Sequence, residues 1–196
     1  MGNGSGPRSF DAVLLGNRET DAWASYYRHE WRRFLVAAVG MVNTGFGVGP
    51  VRTLLGAWHV LRANQLWAPY PDNDPAGARA SMRRFYALVA KDLGLDIDPT
   101  RAAELEVDWW RLHREHQHDP DLPERLLVTA LVDLYAYVYG APPQSMRDAA
   151  RHRVEAMDLS DEWVAAGCRT DDPLLAAERR ALVASHSALL KAVSGG

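Results

Sequence analysis

The chain has 196 residues, 47% of them hydrophobic, a formal net charge of -3 and one cysteine, Cys168. That length and apolar content suit one domain with a substantial core, and the mildly acidic balance lacks the broad basic field with which proteins capture nucleic acid. A single cysteine excludes an intrachain disulfide and any Cys-x-x-Cys centre, and fits a reducing cytoplasm.

The chain opens on Met1-Gly-Asn-Gly-Ser-Gly-Pro7, polar and glycine-rich, without the charged and apolar regions of a signal peptide. Residues 1–19 are therefore expected to form a flexible segment, and 20–194 a single α-helical domain. The first predicted helix covers 20–42, with Trp23, Tyr27, Trp31 and Phe34 down one face as core or as a dimer seam. From Phe34 to Val51 no residue is charged, but Gly40, Gly45, Gly47, Gly49 and Pro50 interrupt what would otherwise be a membrane-span candidate. The segment reads instead as the end of one helix, a glycine loop and the start of another. The loop lacks the Lys-Ser/Thr pair of a phosphate-binding loop.

The second predicted helix, 50–67, is apolar nearly all round and is expected inside the bundle. It nevertheless carries His59, Arg62, Asn64 and Gln65. A buried arginine needs a carboxylate or an anion, so these polar groups either tie down the loop that follows or hold a ligand.

Asp-Pro occurs at Asp74-Pro75, Asp98-Pro99 and Asp172-Pro173. Each marks a helix start, the aspartate capping while proline takes the first position, where no amide bond is lost. With Pro123 as another start and Gly94, Gly140 and Gly167 as stops, further helices are predicted over 75–92, 99–118, 123–139, 144–166 and 173–193. No segment reads as a strand, and the fold class is all-α, a bundle of six to seven helices.

The 99–118 helix is the densest in chemistry, with four carboxylates, three histidines and two tryptophans between Glu104 and His118. Leu105, Trp109, Leu112 and His116 form its apolar stripe, with Glu106 and His113 at the edge. Asp108, Arg111 and Glu115 have the spacing of surface ion pairs on the opposite face. His113 and His116, one turn apart, have the spacing to share a proton path or a metal. In the next helix, Asp133 is the only charge between Leu126 and Tyr139 and is expected to be buried with a partner.

No motif fixes a reaction: the di-iron pattern, His-Glu-x-x-His and the Gly-x-Ser-x-Gly elbow are all missing. A single metal ion or haem is compatible with the histidines, but neither is favoured. The arginines at 147, 151 and 153 and the histidines at 29, 152 and 186 read as solvated surface. The expected function is a cytoplasmic helical protein with an internal polar and aromatic pocket that binds or transforms a small acidic or carbonyl-bearing molecule. His116, His113 and Asp133 are its candidate catalytic residues, and His59, Arg62, Asn64 and Trp109 its candidate ligand contacts. The alternative is a non-catalytic helical protein that dimerises with itself or serves as an adaptor, its polar interior serving packing alone.

Overall fold

The computed structural model describes residues 6–119 and 121–194. Among them, eight α-helices carry the fold: α1 (Ala12–Tyr27), α2 (Trp31–Phe46), α3 (Pro50–Trp67), α4 (Pro75–Leu93), α5 (Pro99–His118), α6 (Glu124–Tyr139), α7 (Arg147–Ala165) and α8 (Pro173–Ser194). A short 3-10 turn over Pro143–Met146 leads into α7. The all-α architecture is as expected from the sequence, with one helix more.

All three Asp-Pro starts are built as capped ends. Asp74 Oδ1 accepts from Gly77 N at 2.8 Å, Asp98 Oδ1 from Thr100 N at 2.9 Å, and Asp172 Oδ1 from Leu174 N at 2.9 Å. Each bond satisfies an amide that the first turn leaves without a partner. At the other ends of α4 and α6, Gly94 and Gly140 take φ of 63° and 59°, left-handed values that a side chain would strain.

The extra helix arises where one helix was expected over 20–42. The chain breaks at Arg28-His29-Glu30, with His29 at φ 57°, a conformation unusual for a residue with a Cβ. Arg28 holds the break by bonding Glu30 Oε1 at 3.0 Å and the Cys168 carbonyl at 3.1 Å. The N-terminal expectation is corrected in part. Residues 12–19 belong to α1, capped by Asp11 and carrying buried Leu15, Gly16 and Glu19, while residues 1–5 lie outside the described residues.

The helices pack mainly on their neighbours in sequence, and α1 closes the circuit by packing along α8. Gly16 makes that closure tight: a Cβ there would lie 2.8 Å from Val183 Cα. One hydrophobic cluster draws on every helix, from Phe10 and Leu15 to Leu189 and Val193. Among the described residues, no helix is long and apolar enough to cross a membrane.

The expectation that α3 is interior on all sides is corrected. Thr53, Gly56, Ala57, Leu61, Ala63 and Trp67 face inward. Val51, Leu54, Leu55 and Trp58 stand 71%, 58%, 48% and 50% exposed. Both faces of this helix are apolar, so periodicity gave no means to choose the buried one.

Candidate functional site

At the centre of the circuit lies a cavity of about 210 Å³ whose lining draws on all eight helices. Most of the wall is apolar or aromatic, including Phe34, Met41, Phe85, Trp109 and Leu134. A mostly apolar recess of this size is the usual shape of a small-molecule site.

Polar groups reach the wall in two clusters. In the first, Glu19 on α1 receives both terminal nitrogens of Arg153 from α7, one of them at 3.1 Å, and lies 2.6 Å from His186 Nε2 on α8. The Arg153 guanidinium also lies over the rings of Trp23 and Trp109, at 5.5 and 5.2 Å from their centroids. Burial resists ionisation of Glu19, yet the Arg153 charge and the His186 bond outweigh it and hold the carboxyl at about 2. Burial likewise works against the Arg153 charge, and the Glu19 carboxylate reverses the effect, holding the guanidinium above its ordinary range. Arg153 Nε and His186 Nδ1 are buried without a hydrogen-bond partner among the described residues.

The second cluster centres on Glu106 of α5. Tyr86 Oη donates to its Oε2 at 2.6 Å, and the indole nitrogens of Trp109 and Trp110 donate to its Oε1 at 3.2 Å each. Three donors favour the carboxylate, but burial is the stronger influence and the pKa is raised. Between the clusters, burial raises the hydroxyl pKa of Tyr135 to about 12, so it stays protonated at neutral pH.

Two further concavities share walls with this cavity. A narrow pocket of about 70 Å³ has Trp23, Phe34, Asn64, Trp109 and Trp110 in common with it. That pocket in turn shares Tyr26, Tyr27, Arg114 and Gln117 with an open surface depression of about 460 Å³. The three concavities thus adjoin one another through shared lining residues. Arg114 belongs to both outer linings and lies over the rings of Trp67 and Tyr70 at 5.5 and 5.2 Å and 3.4 Å from Tyr26 Oη.

The residues singled out from the sequence divide. Asn64 and Trp109 line the cavity, and His113 lines the narrow pocket beside it. His113 Nε2 lies 3.1 Å from Asp161 Oδ2. His116 also turns toward α7, with Nε2 3.9 Å from Asp158 Oδ1, while its Nδ1 lies 3.2 Å from the Leu122 carbonyl. Arg62 donates to Gln65 on its own helix at 2.6 Å, and His59 is half-buried, its pKa lowered by desolvation and by Arg84. Neither lines the cavity, nor do His116 and Asp133. Asp133 is exposed, which corrects the expectation of burial: Leu131, Leu134 and Tyr135 take the inner face of α6, and Asp133 shares the outer one with Leu126 and Thr129. Among the described residues, no group of three or more His, Cys, Asp and Glu side chains is placed to hold a metal ion.

The expectation that Arg153 and His186 lie on the solvated surface is corrected, since both are turned inward onto Glu19, which the sequence reading passed over. A signal was present, because each lies on the apolar stripe of its helix. His186 falls between Leu182 and Leu189 on the buried side of α8, and Glu19 between Leu15 and Ala22 on that of α1. Arg153, 12% exposed, lies between buried Ala149 and Ala156 on α7.

No family model, curated protein or solved structure matches this chain.

Proposed function

We propose that the protein binds a small, mainly apolar molecule in the central cavity, with the molecule's polar group at the end where Glu19, Arg153 and His186 meet. The observation that carries this reading is the cavity itself, an aromatic and apolar chamber with a built polar end. An apolar cavity of about 150 Å³ is enough to take up benzene. A chamber of about 210 Å³ suits one aromatic ring with a short substituent. The Glu19 carboxylate fixes the His186 ring, the arrangement that prepares an imidazole for proton transfer, so turnover of the bound molecule belongs to the same reading.

The test is thermal unfolding with and without 2-phenylethanol, acetophenone, phenylacetate and phenethylamine, four aryl compounds of matched size. A ligand at about a hundred times its Kd stabilises the folded state by about 2.7 kcal/mol, an easily read rise in Tm. At least one of the four is expected to produce it. Ala38→Leu, which places a larger side chain in the cavity wall, is expected to abolish the rise while leaving the unliganded fold intact. No rise with any of the four compounds sinks the reading.

A second reading, a helical protein that dimerises or serves as an adaptor, is supported by the outward apolar stripe Val51, Leu54, Leu55 and Trp58 on α3. Light scattering on the native chain and on Leu54→Lys tests its dimerising form: a dimer that the lysine dissociates supports it, and a native monomer over the working concentration range removes it.

A further inference from the structure

We propose a second site, independent of the central cavity reading: the surface depression where α1, α5, α7 and the segment after α3 meet takes a planar aromatic acid, its carboxylate on Arg114. The depression holds about 460 Å³, within the range of small-molecule sites. Its walls carry the rings of Tyr26, Tyr27, His29, Tyr70 and His118. Tyr70 is 56% exposed, and its ring centroid lies 4.4 Å from that of His118, so aromatic surface for a planar ligand lies open there.

Arg114 supplies the charge. Its guanidinium lies over the rings of Trp67 and Tyr70, which orient its plane without neutralising it. Among the described residues it has no carboxylate partner, and its one side-chain hydrogen bond runs from Nη2 to the Tyr26 hydroxyl at 3.4 Å. Nε and Nη1 hold no hydrogen bond there, yet neither is sealed from solvent as Arg153 Nε is. A guanidinium oriented by rings, with open donors, is the form that receives a carboxylate on parallel hydrogen bonds.

Charge selects the acid. The carboxylate on the depression's wall is Asp161, and both of its oxygens are engaged: Oδ1 accepts from Gln117 Nε2 at 2.6 Å, and Oδ2 lies 3.1 Å from His113 Nε2. Arg114 therefore keeps its charge for one singly charged group. A phosphate monoester, with a charge of about -1.5 to -2, would exceed what one arginine neutralises and would stand beside Asp161. An amine would meet the guanidinium itself.

Calorimetric titration of the full chain with 2-naphthoate, 2-naphthamide, 2-naphthylmethylamine and 2-naphthyl phosphate tests the proposal, since two fused rings exceed the single ring that the central cavity suits. 2-Naphthoate should bind about tenfold tighter than each of the others, the gain of a charge-assisted pair. In Arg114→Gln the acid and its amide should approach parity. In Ala38→Leu, which fills the central cavity, the 2-naphthoate Kd should stay within about twofold of the native value. Parity between acid and amide in the native chain, tightest binding by the amine or the phosphate, or a preference for the acid that survives Arg114→Gln overturns the assignment. Loss of 2-naphthoate binding in Ala38→Leu overturns it too, because the acid then occupies the central cavity. Failure of 2-naphthoate to bind removes this site and leaves the central cavity reading, which the single-ring compounds test.

Discussion

Arg153 on α7 and Glu19 on α1, 134 residues apart in sequence, meet fork to fork, both terminal guanidinium nitrogens on both carboxylate oxygens. Glu19 is 2% exposed and Arg153 12%, so each charge depends on the other for the hydration it has lost. Glu19→Gln should therefore destabilise the protein by about 3–5 kcal/mol, the usual cost of leaving one buried charge unpaired. Replacing both residues, as Glu19→Gln with Arg153→Met, should cost less than the sum of the single changes. Urea unfolding of the two single variants and the double variant reads the coupling; additive losses would mean that the fork contributes nothing of its own.

The same pair sets an acid limit. The Glu19 carboxyl titrates near 2 in the folded state against an ordinary 4.5, so between these values the unfolded chain binds more protons. The stabilisation, about 3 kcal/mol, is complete above about pH 4.5 and is lost as the pH falls toward 2. Glu178 on α8 has the opposite sign. It is fully buried, and burial, helped by the nearby Glu19 charge, outweighs the opposing influence of the Ser160 hydroxyl and raises its pKa to about 8. Here the folded chain holds the extra proton, so stability falls as the pH climbs from about 4.5 toward 8. Glu178→Gln is expected to flatten that decline, with little effect near pH 4 and a gain of a few kcal/mol near pH 9. Denaturant midpoints at the two pH values check it, and an equal effect at both would refute the assignment.

The helix boundaries were legible because their signals are local. An aspartate before proline and a glycine after an apolar run act within one turn, and the capped ends of α4, α5 and α8 stand where Asp74, Asp98 and Asp172 put them. The break after Tyr27 was not legible, since His29 enters the left-handed region without a glycine or proline to announce it. The candidate site was legible only in part. Asn64, Trp109 and the edge position of Glu106 were readable on one helix at a time. The cluster of Glu19, Arg153 and His186 depends on closure of α1 onto α8, and no periodicity within one segment reports which distant helices will meet. Asp133 shows the converse, a charge in an apolar run that simply faces water.

Closure of α1 onto α8 makes two glycines behave oppositely. At Gly16 a methyl group would lie 2.8 Å from both the Cα and the backbone nitrogen of Val183, so one helix must move. Gly16→Ala should destabilise by about 1–3 kcal/mol, the range for overpacking a close-fitted core. Gly45 also lies in a helix, but its added methyl would meet Leu15 Cδ2 at 3.6 Å, ordinary contact. Gly45→Ala should stabilise by about 0.5–1 kcal/mol, through the better helix propensity of alanine. Thermal unfolding of the two variants gives the comparison, and a shift of the same sign in both would count against the tight α1–α8 contact.

Arg114 lines both the surface depression and the narrow pocket, over Trp67 and Tyr70, which makes these adjoining concavities the expected path to the central cavity. It touches the path and is absent from the cavity wall. Shortening it should therefore change how fast a molecule passes and leave how tightly it is held unchanged. For Arg114→Ala, stopped-flow tryptophan fluorescence with 2-phenylethanol is expected to show association and dissociation accelerated by the same factor, about tenfold if the side chain must swing aside in each passage. The Kd from calorimetry should stay within about twofold of the native value. Unchanged rates would place the route elsewhere on the surface. A weakened Kd at an unchanged association rate would make Arg114 a ligand contact instead of a gate.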